Sequence, residues 1–186
     1  MLQYKRKAWV YGGERGVMEM FQVGDKVVYG IHGVCRIVDT EEKTVDRKKV
    51  SYFVLEPMEQ PEARFYVPMH NEAAVSKLRR IMSAAEIHTL LRSEEARGSA
   101  WICDENQRKL RYRSLINSGD RSAMLCMIRT LHQHKSDLEA VGRKLHMCDE
   151  NFLRDAQKLL GSEFSLVLGI PQDQVGTYIQ SVMQAE

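Results

Sequence analysis

The sequence predicts an α+β protein in two domains, a small antiparallel β barrel followed by an all-α helical bundle. Between residues 20 and 82, short segments rich in β-branched and aromatic residues alternate with turn residues, a pattern typical of antiparallel strands. Across residues 83–186, N-cap residues precede apolar residues at helical spacing. Residues 1–19 show no clear periodicity, so we expect a poorly ordered extension outside the fold.

The β domain contains four predicted strands separated by turn residues. Short strands within about 60 residues favour a strongly bent barrel, and glycines at the turns permit the bending. The predicted strands are Lys26–Tyr29, Val34–Thr40, Val50–Glu56 and Arg64–Val67, and the turn residues include Gly30, Gly33 and Asp46-Arg47.

The helical domain is marked by capping residues at regular intervals. Ser83 with Glu86 forms a capping box, and glycines follow the last apolar residues of two helices. The predicted helix starts are Ser83, Asp104, Asp120, Ser136, Asp149 and Pro171, and the predicted ends include Gly119 and Gly169.

Composition excludes several classes of protein. The 186 residues are 44% hydrophobic and 28% charged, as in ordinary globular proteins. No apolar run approaches the roughly 20 residues of a membrane span, and the N-terminus lacks the apolar stretch of a secretory signal, so we expect a cytoplasmic protein. Four irregularly spaced cysteines indicate reduced thiols.

Motifs for catalysis, cofactors or metals are not found. The sequence has no nucleophile elbow, zinc-protease motif, phosphate loop or dinucleotide fingerprint, so we expect no enzyme and no cofactor. Cysteine and histidine residues of the second domain lack zinc-ligand spacing, which argues against a metal. These residues are Cys126, His132, His134, His146 and Cys148.

A basic cluster and a tryptophan are the candidate binding residues. The net charge is only +2, but residues 108–129 hold six basic residues against one acidic residue. Such a cluster can contact nucleic-acid phosphates, although a solvated helix face is the alternative interpretation. Trp101 lies in a predicted loop before this helix, where it is either a buried anchor or a wedge for an unstacked base step. The densest part of the cluster is Arg108, Lys109, Arg111 and Arg113.

Ordered motifs across both domains resemble the CarD/CdnL family of bacterial transcription regulators. In the first domain these are Val23–Tyr29, His32-Gly33-Val34, Tyr52–Leu55, Tyr66-Val67-Pro68 and Asn71. In the second they are Trp101, Arg108-Lys109 and Ser118-Gly119-Asp120. The first domain is similar to the polymerase-interacting domain of the transcription-repair coupling factor, and the resemblance covers roughly residues 20–168.

The resemblance implies a Tudor/SH3-like barrel that docks on the β subunit of RNA polymerase, and a helical domain that contacts promoter DNA at the upstream edge of the bubble. It implies that Trp101 is the wedge, that nearby basic residues hold phosphates, and that the open complex is stabilised. Family positions facing polymerase fall on Lys43 and Tyr66, and we expect strand Arg64–Val67, with Arg64 and Val67, to form that edge. We expect a monomer without membrane contact.

Two other functions stay open from the residues alone. The barrel could bind nucleic acid directly, as KOW-type barrels do. The protein could also be an interaction adaptor without DNA contact, in which Trp101 belongs to the core.

Overall fold

The computed structural model describes residues 8–11, 18–94 and 98–184. The chain divides into two compact units, Met1–Ile81 and Met82–Glu186, each with its own apolar core. The first unit is built from strands and the second from helices, which confirms the α+β layout that the sequence predicts.

The first unit contains an antiparallel sheet of five strands. Their order in the sheet is β6 (Phe65–Pro68), β5 (Lys48–Pro57), β4 (Val34–Val45), β3 (Lys26–Tyr29) and β7 (Leu78–Arg80). All four strands predicted from the sequence are present, and β7 and the short helix α1 are additional. Helix α1 covers Glu72–Val75.

The sheet is open, which corrects the prediction of a barrel. The outer strands β6 and β7 do not pair with each other in the described part of the chain. They have four and three residues, and each pairs with one strand of the sheet, β6 with β5 and β7 with β3. The prediction failed because strand content alone does not determine whether the first and last strands meet.

The longest element of this unit is the β4–β5 hairpin. Its register runs from Cys35 opposite Pro57 to Val45 opposite Lys48, with a bulge between Ile37 and Asp39. The two turn residues, Asp46 and Arg47, both have positive φ, 49° and 62°. This is the backbone twist of a type I′ turn, which matches the twist of the flanking strands.

Alternating side chains of these strands form the apolar core of the first unit. Phe53, Leu55 and Val67 are fully buried on one face of β5 and β6. The side chains on the opposite face of these strands therefore point away from this core.

An N-terminal hairpin precedes this sheet. Strand β1, Ala8–Tyr11, pairs antiparallel with β2, Met18–Phe21, in a separate two-stranded sheet. Most of this hairpin falls in the segment 1–19 that we expected to lie outside the fold. Residues 1–7 and 12–17 lie outside the described residues, and for them the expectation stays a prediction.

The described residues of the second unit form five α-helices, and most of their ends are at the predicted caps. Ser83 and Glu86 form the reciprocal capping box, Asp104 and Asp120 each accept a backbone N–H three residues on, and Gly119 and Gly169 are left-handed C-caps. The bounds are α2 Ala84–Arg92, α3 Glu105–Ser118, α4 Arg121–Ala140, α5 Met147–Leu168 and α6 Gln172–Gln184.

Two predicted helix starts are wrong. Ser136 lies inside α4, because no glycine or proline interrupts that helix before Gly142 and Leu138 packs against the core. The N-cap of α5 is His146, whose Nδ1 accepts the N–H of Cys148, and the carboxylate of Asp149 is turned into the bundle instead.

We predict that the β4–β5 turn can be improved. In Asp46→Asn with Arg47→Gly, both residues adopt positive φ more readily, so the hairpin should gain up to about 1 kcal/mol. Amide exchange in β4 and β5 should then slow by up to about fivefold. Faster exchange would show that Arg47 makes a stabilising contact that outweighs its backbone conformation.

Candidate functional site

Trp101 lies in the connection between α2 and α3, in a segment that we call the tryptophan loop, residues 98–104. The start of this loop is bound to α4. The backbone N–H of Ser99 donates to Oγ1 of Thr130 at 2.8 Å, and the Thr130 hydroxyl donates in turn to the carbonyl of Cys126 at 2.9 Å. Thr130 is buried, so this contact fixes the loop on the surface of the bundle.

The end of the tryptophan loop is bound by Arg108, one turn into α3. Nη1 of Arg108 donates to the carbonyl of Ile102 at 2.8 Å and to that of Cys103 at 3.4 Å. The other two nitrogens, Nε and Nη2, donate to the two carboxylate oxygens of Asp149, each at 2.9 Å. One guanidinium therefore joins α5 to the backbone that directly follows Trp101.

The indole of Trp101 is stacked on two polar groups. The imidazole of His134 lies 3.6 Å from it between ring centroids, with an angle of 18° between the planes. The Cζ atom of Arg108 lies 4.4 Å from the ring centroid, within the range of a cation–π contact. The ring is partly buried and packs against the core. Trp101 is thus neither a fully buried anchor nor a freely exposed side chain.

The Arg108–Asp149 pair is almost completely removed from solvent. The residues are 6% and 1% exposed. Hydrogen bonding to Asp149 raises the pKa of Arg108, and burial together with Asp149 raises the pKa of the neighbouring Tyr112 to about 12. Two opposite charges at this depth stabilise each other only when both are well paired. Removing one would leave the other buried without a partner and would strongly reduce the folding stability.

The basic cluster predicted from the sequence is largely neutralised by its surroundings. Arg108, expected to contact phosphates, is instead buried on Asp149, because α5 places a carboxylate beside it. Lys109 forms an ion pair with Glu105. Arg121 binds the buried Glu163, and Arg129 donates to the carbonyl of Leu91 at 2.6 Å.

Arg111 and Arg113 are the exposed cations of α3. Both lie on the solvent side of the helix, and neither forms a hydrogen bond or an ion pair with another described residue. By helical periodicity they flank Leu110, an apolar residue that is 68% exposed. The outer face of α3 therefore presents two uncommitted guanidinium groups around an apolar side chain.

The first unit carries a second candidate surface on the outer face of its sheet. Lys43, Tyr52 and Tyr66 form what we call the tyrosine face. Nζ of Lys43 lies 3.3 Å from the ring centroid of Tyr66, and the two tyrosine rings meet edge-on with centroids 6.4 Å apart. Tyr66 is 42% exposed, so its ring is available to a partner.

The β6 edge beside this face has its own hydrogen-bonding pattern. Met69 N–H donates to the carbonyl of Ser51, which extends the β5–β6 ladder. Because successive N–H groups point to opposite sides of a strand, Val67 N–H also points to β5, whereas Tyr66 N–H points to the free edge. Val67 is fully buried, which corrects our expectation that it contacts a partner.

Arg64, the fourth residue expected at this edge, is bound within its own unit. It forms an ion pair of 2.7 Å with Glu56, and its Nη1 donates to the carbonyls of Pro61 and Ala63. Of the residues predicted at the edge, the structure therefore brings together Lys43 and Tyr66, adds Tyr52, and engages Arg64 elsewhere.

The described part of the chain shows no cluster of metal ligands and no membrane span. There, no three histidine, cysteine, aspartate or glutamate side chains come together as a metal site would require. Likewise, none of the described helices combines the length and the apolar character of a membrane span.

Two family models match the chain, one on each unit. The model of the CarD-like/TRCF RID domain matches residues 21–82. The model of the CarD C-terminal domain matches residues 86–180. Among curated proteins, none matches the chain.

Proposed function

The chain belongs to the CarD/CdnL family of RNA polymerase-interacting transcription regulators, and we propose that it bridges the polymerase β subunit and promoter DNA and stabilises the open complex. The observation that carries the proposal is the tryptophan loop. It presents a partly exposed indole next to a helix whose outer face bears two uncommitted arginines. Aromatic side chains in such places can insert at unstacked base steps.

The polymerase contact is proposed for the tyrosine face and the adjoining β6 edge. A partner strand can add to a free edge through backbone hydrogen bonds, while neighbouring side chains determine specificity. Tyr66 offers both, since its N–H points to the free edge and its ring is exposed. Lys43 lies over that ring and forms an ion pair of 3.5 Å with Glu41, so both charges are offered beside the ring.

The DNA contact is proposed for Trp101, Arg111 and Arg113, with Lys109 available if it exchanges Glu105 for a phosphate. Only two or three phosphate contacts are then available, so the affinity for DNA alone should be weak. Binding to polymerase compensates for this weakness, because it raises the effective concentration of the helical unit at the promoter.

We predict that polymerase binding depends on the backbone of Tyr66 as well as on its ring. Tyr66→Ala removes the ring, and Tyr66→Pro removes the ring and the outward N–H without breaking the ladder to β5. A lost hydrogen bond is worth about 1 kcal/mol, so Tyr66→Pro should bind polymerase about fivefold more weakly than Tyr66→Ala. The measurement is the dissociation constant of the full chain for polymerase.

Equal affinities of these two variants would show that no strand pairs with this edge. Val67→Pro shows what a disrupted sheet looks like in the same assay. The N–H of Val67 belongs to the ladder between β5 and β6, so its loss should disturb folding.

DNA binding by the full chain without polymerase should depend moderately on salt. Each phosphate contact contributes about −0.9 to the slope of log K against log salt, so two or three contacts give about −2 to −3. Arg111→Ala with Arg113→Ala should bring the slope to about −1 or closer to zero. Arg143→Ala with Lys144→Ala, which removes two exposed cations from another loop of the same unit, should leave it unchanged.

If the second double variant lowers the slope as much as the first, DNA does not bind along α3. If neither double variant lowers the slope, and substitutions at surface residues of the first unit abolish nucleic-acid binding, the KOW-like alternative is correct.

Trp101→Ala should shorten the lifetime of the open complex far more than it destabilises the protein. Stacking on an unpaired base is worth about 1–3 kcal/mol, which is roughly 5- to 150-fold in the equilibrium. Because the indole is only partly buried, the loss of folding stability should stay below the ~3–5 kcal/mol of a core tryptophan. Trp101→Phe keeps an aromatic ring and should retain part of the effect.

The two measurements are the melting temperature and the dissociation rate of open complexes. Wild-type lifetimes from a folded Trp101→Ala variant would favour the adaptor alternative, in which the tryptophan has no role at DNA.

A further inference from the structure

We propose that Arg108 and Asp149 are positioning residues for Trp101. They do not contact DNA themselves but hold the tryptophan loop in the conformation from which the indole inserts. This inference rests on the proposed function, because it assigns a role in DNA opening to residues that act through Trp101.

Arg108 uses every nitrogen of its guanidinium inside the fold. Nε and Nη2 bind Asp149 at 2.9 Å, and Nη1 binds the carbonyls of Ile102 and Cys103. The same guanidinium carbon lies 4.4 Å from the indole centroid. Arg108 therefore contacts both the ring of Trp101 and the two residues that follow it.

The geometry of these contacts requires an arginine and an aspartate. A guanidinium is planar and can donate to a carboxylate with two nitrogens while the third points elsewhere, which a lysine ammonium cannot reproduce. Asp149 is short and held in the first turn of α5, so it fixes the guanidinium plane with little freedom. Replacing either residue changes where Nη1 points.

Without this pair, the tryptophan loop would be bound less firmly after Trp101 than before it. The loop would keep the Ser99–Thr130 hydrogen bonds at its start and the His134 stack on the ring. The backbone on the C-terminal side of Trp101 would lose its side-chain donor. A ring on a freer backbone must be ordered when it inserts, and this ordering reduces the net stabilisation of the open complex.

The second unit provides a matched control in another buried ion pair. Arg121 binds both oxygens of Glu163 at 2.8 and 2.9 Å, and Glu163 is 2% exposed. Glu163 lies fourteen residues after Asp149 on α5, about 21 Å along the helix axis. Both pairs join an arginine to a buried carboxylate of α5, but Arg108 binds the tryptophan loop, whereas Glu163 accepts the backbone N–H of Met82 at 2.8 Å.

The test compares Arg108→Met with Asp149→Leu against Arg121→Met with Glu163→Leu, both in a Trp9→Phe background so that Trp101 is the one tryptophan and can be excited selectively. Replacing both partners leaves no unpaired buried charge, so both proteins should fold. Acrylamide quenching of Trp101 is measured without DNA, and open-complex lifetime is measured with polymerase.

In the Arg108/Asp149 variant, quenching should rise roughly twofold or more as the loop opens. Its open-complex lifetime should fall at least about fivefold, the lower end of the loss expected for Trp101→Ala. The Arg121/Glu163 variant should match the parent in both measurements.

Unchanged quenching in the Arg108/Asp149 variant would overturn the proposal. If Trp101→Ala shortens the open-complex lifetime, the proposal is also overturned when the Arg108/Asp149 variant has raised quenching but an unchanged lifetime. If Trp101→Ala itself has no effect on lifetime, the proposed function fails, whereas the quenching result still decides whether the pair positions the ring. If the double variant does not fold, Arg108→Lys replaces it: it keeps the charge but should still raise quenching, and parent-like quenching would overturn the proposal.

Discussion

One buried carboxylate determines how the candidate DNA-binding surface is built. Asp149 takes the guanidinium of Arg108 out of solvent, and through it binds α5, α3 and the tryptophan loop together. An unpaired charge at this depth would cost several kcal/mol, so the arrangement exists only while both partners are in place. The position of Trp101 is therefore tied to the packing of the helices.

Pairing with buried carboxylates also determines which basic residues of the second unit remain at its surface. The basic residues of α3 and α4 divide into those used inside the fold and those left at the surface. Arg108 and Arg121 are paired with buried carboxylates, whereas Arg111 and Arg113 remain exposed. Under the proposed function, a surface with two exposed arginines would bind DNA weakly by itself, and binding to polymerase would compensate for this weakness.

The features that the sequence predicted correctly are those decided within a few residues. Capping at Ser83, Asp104 and Asp120 depends on a side chain and an N–H three positions away, and the structure confirms each cap. The turn at Asp46-Arg47 was likewise evident from local composition.

The features that were wrong depend on distant partners. Arg108 looked like a surface cation because Asp149, forty-one residues later, is invisible to any local pattern. Sheet closure depends on whether β6 reaches β7, and the orientation of Val67 depends on its partner β5.

Each unit places a cation against an aromatic ring, but the two pairs differ in how easily they can be separated. Lys43 and Tyr66 are both solvent-exposed, so a partner can displace the ammonium from the ring at little cost. Arg108 cannot leave Trp101 without breaking its buried bonds to Asp149. The ring of Tyr66 can therefore adapt to a partner, whereas the ring of Trp101 is held in one orientation by buried groups. An adaptable contact suits a protein surface with many groups to match, and a fixed one suits the narrow gap between two unstacked bases.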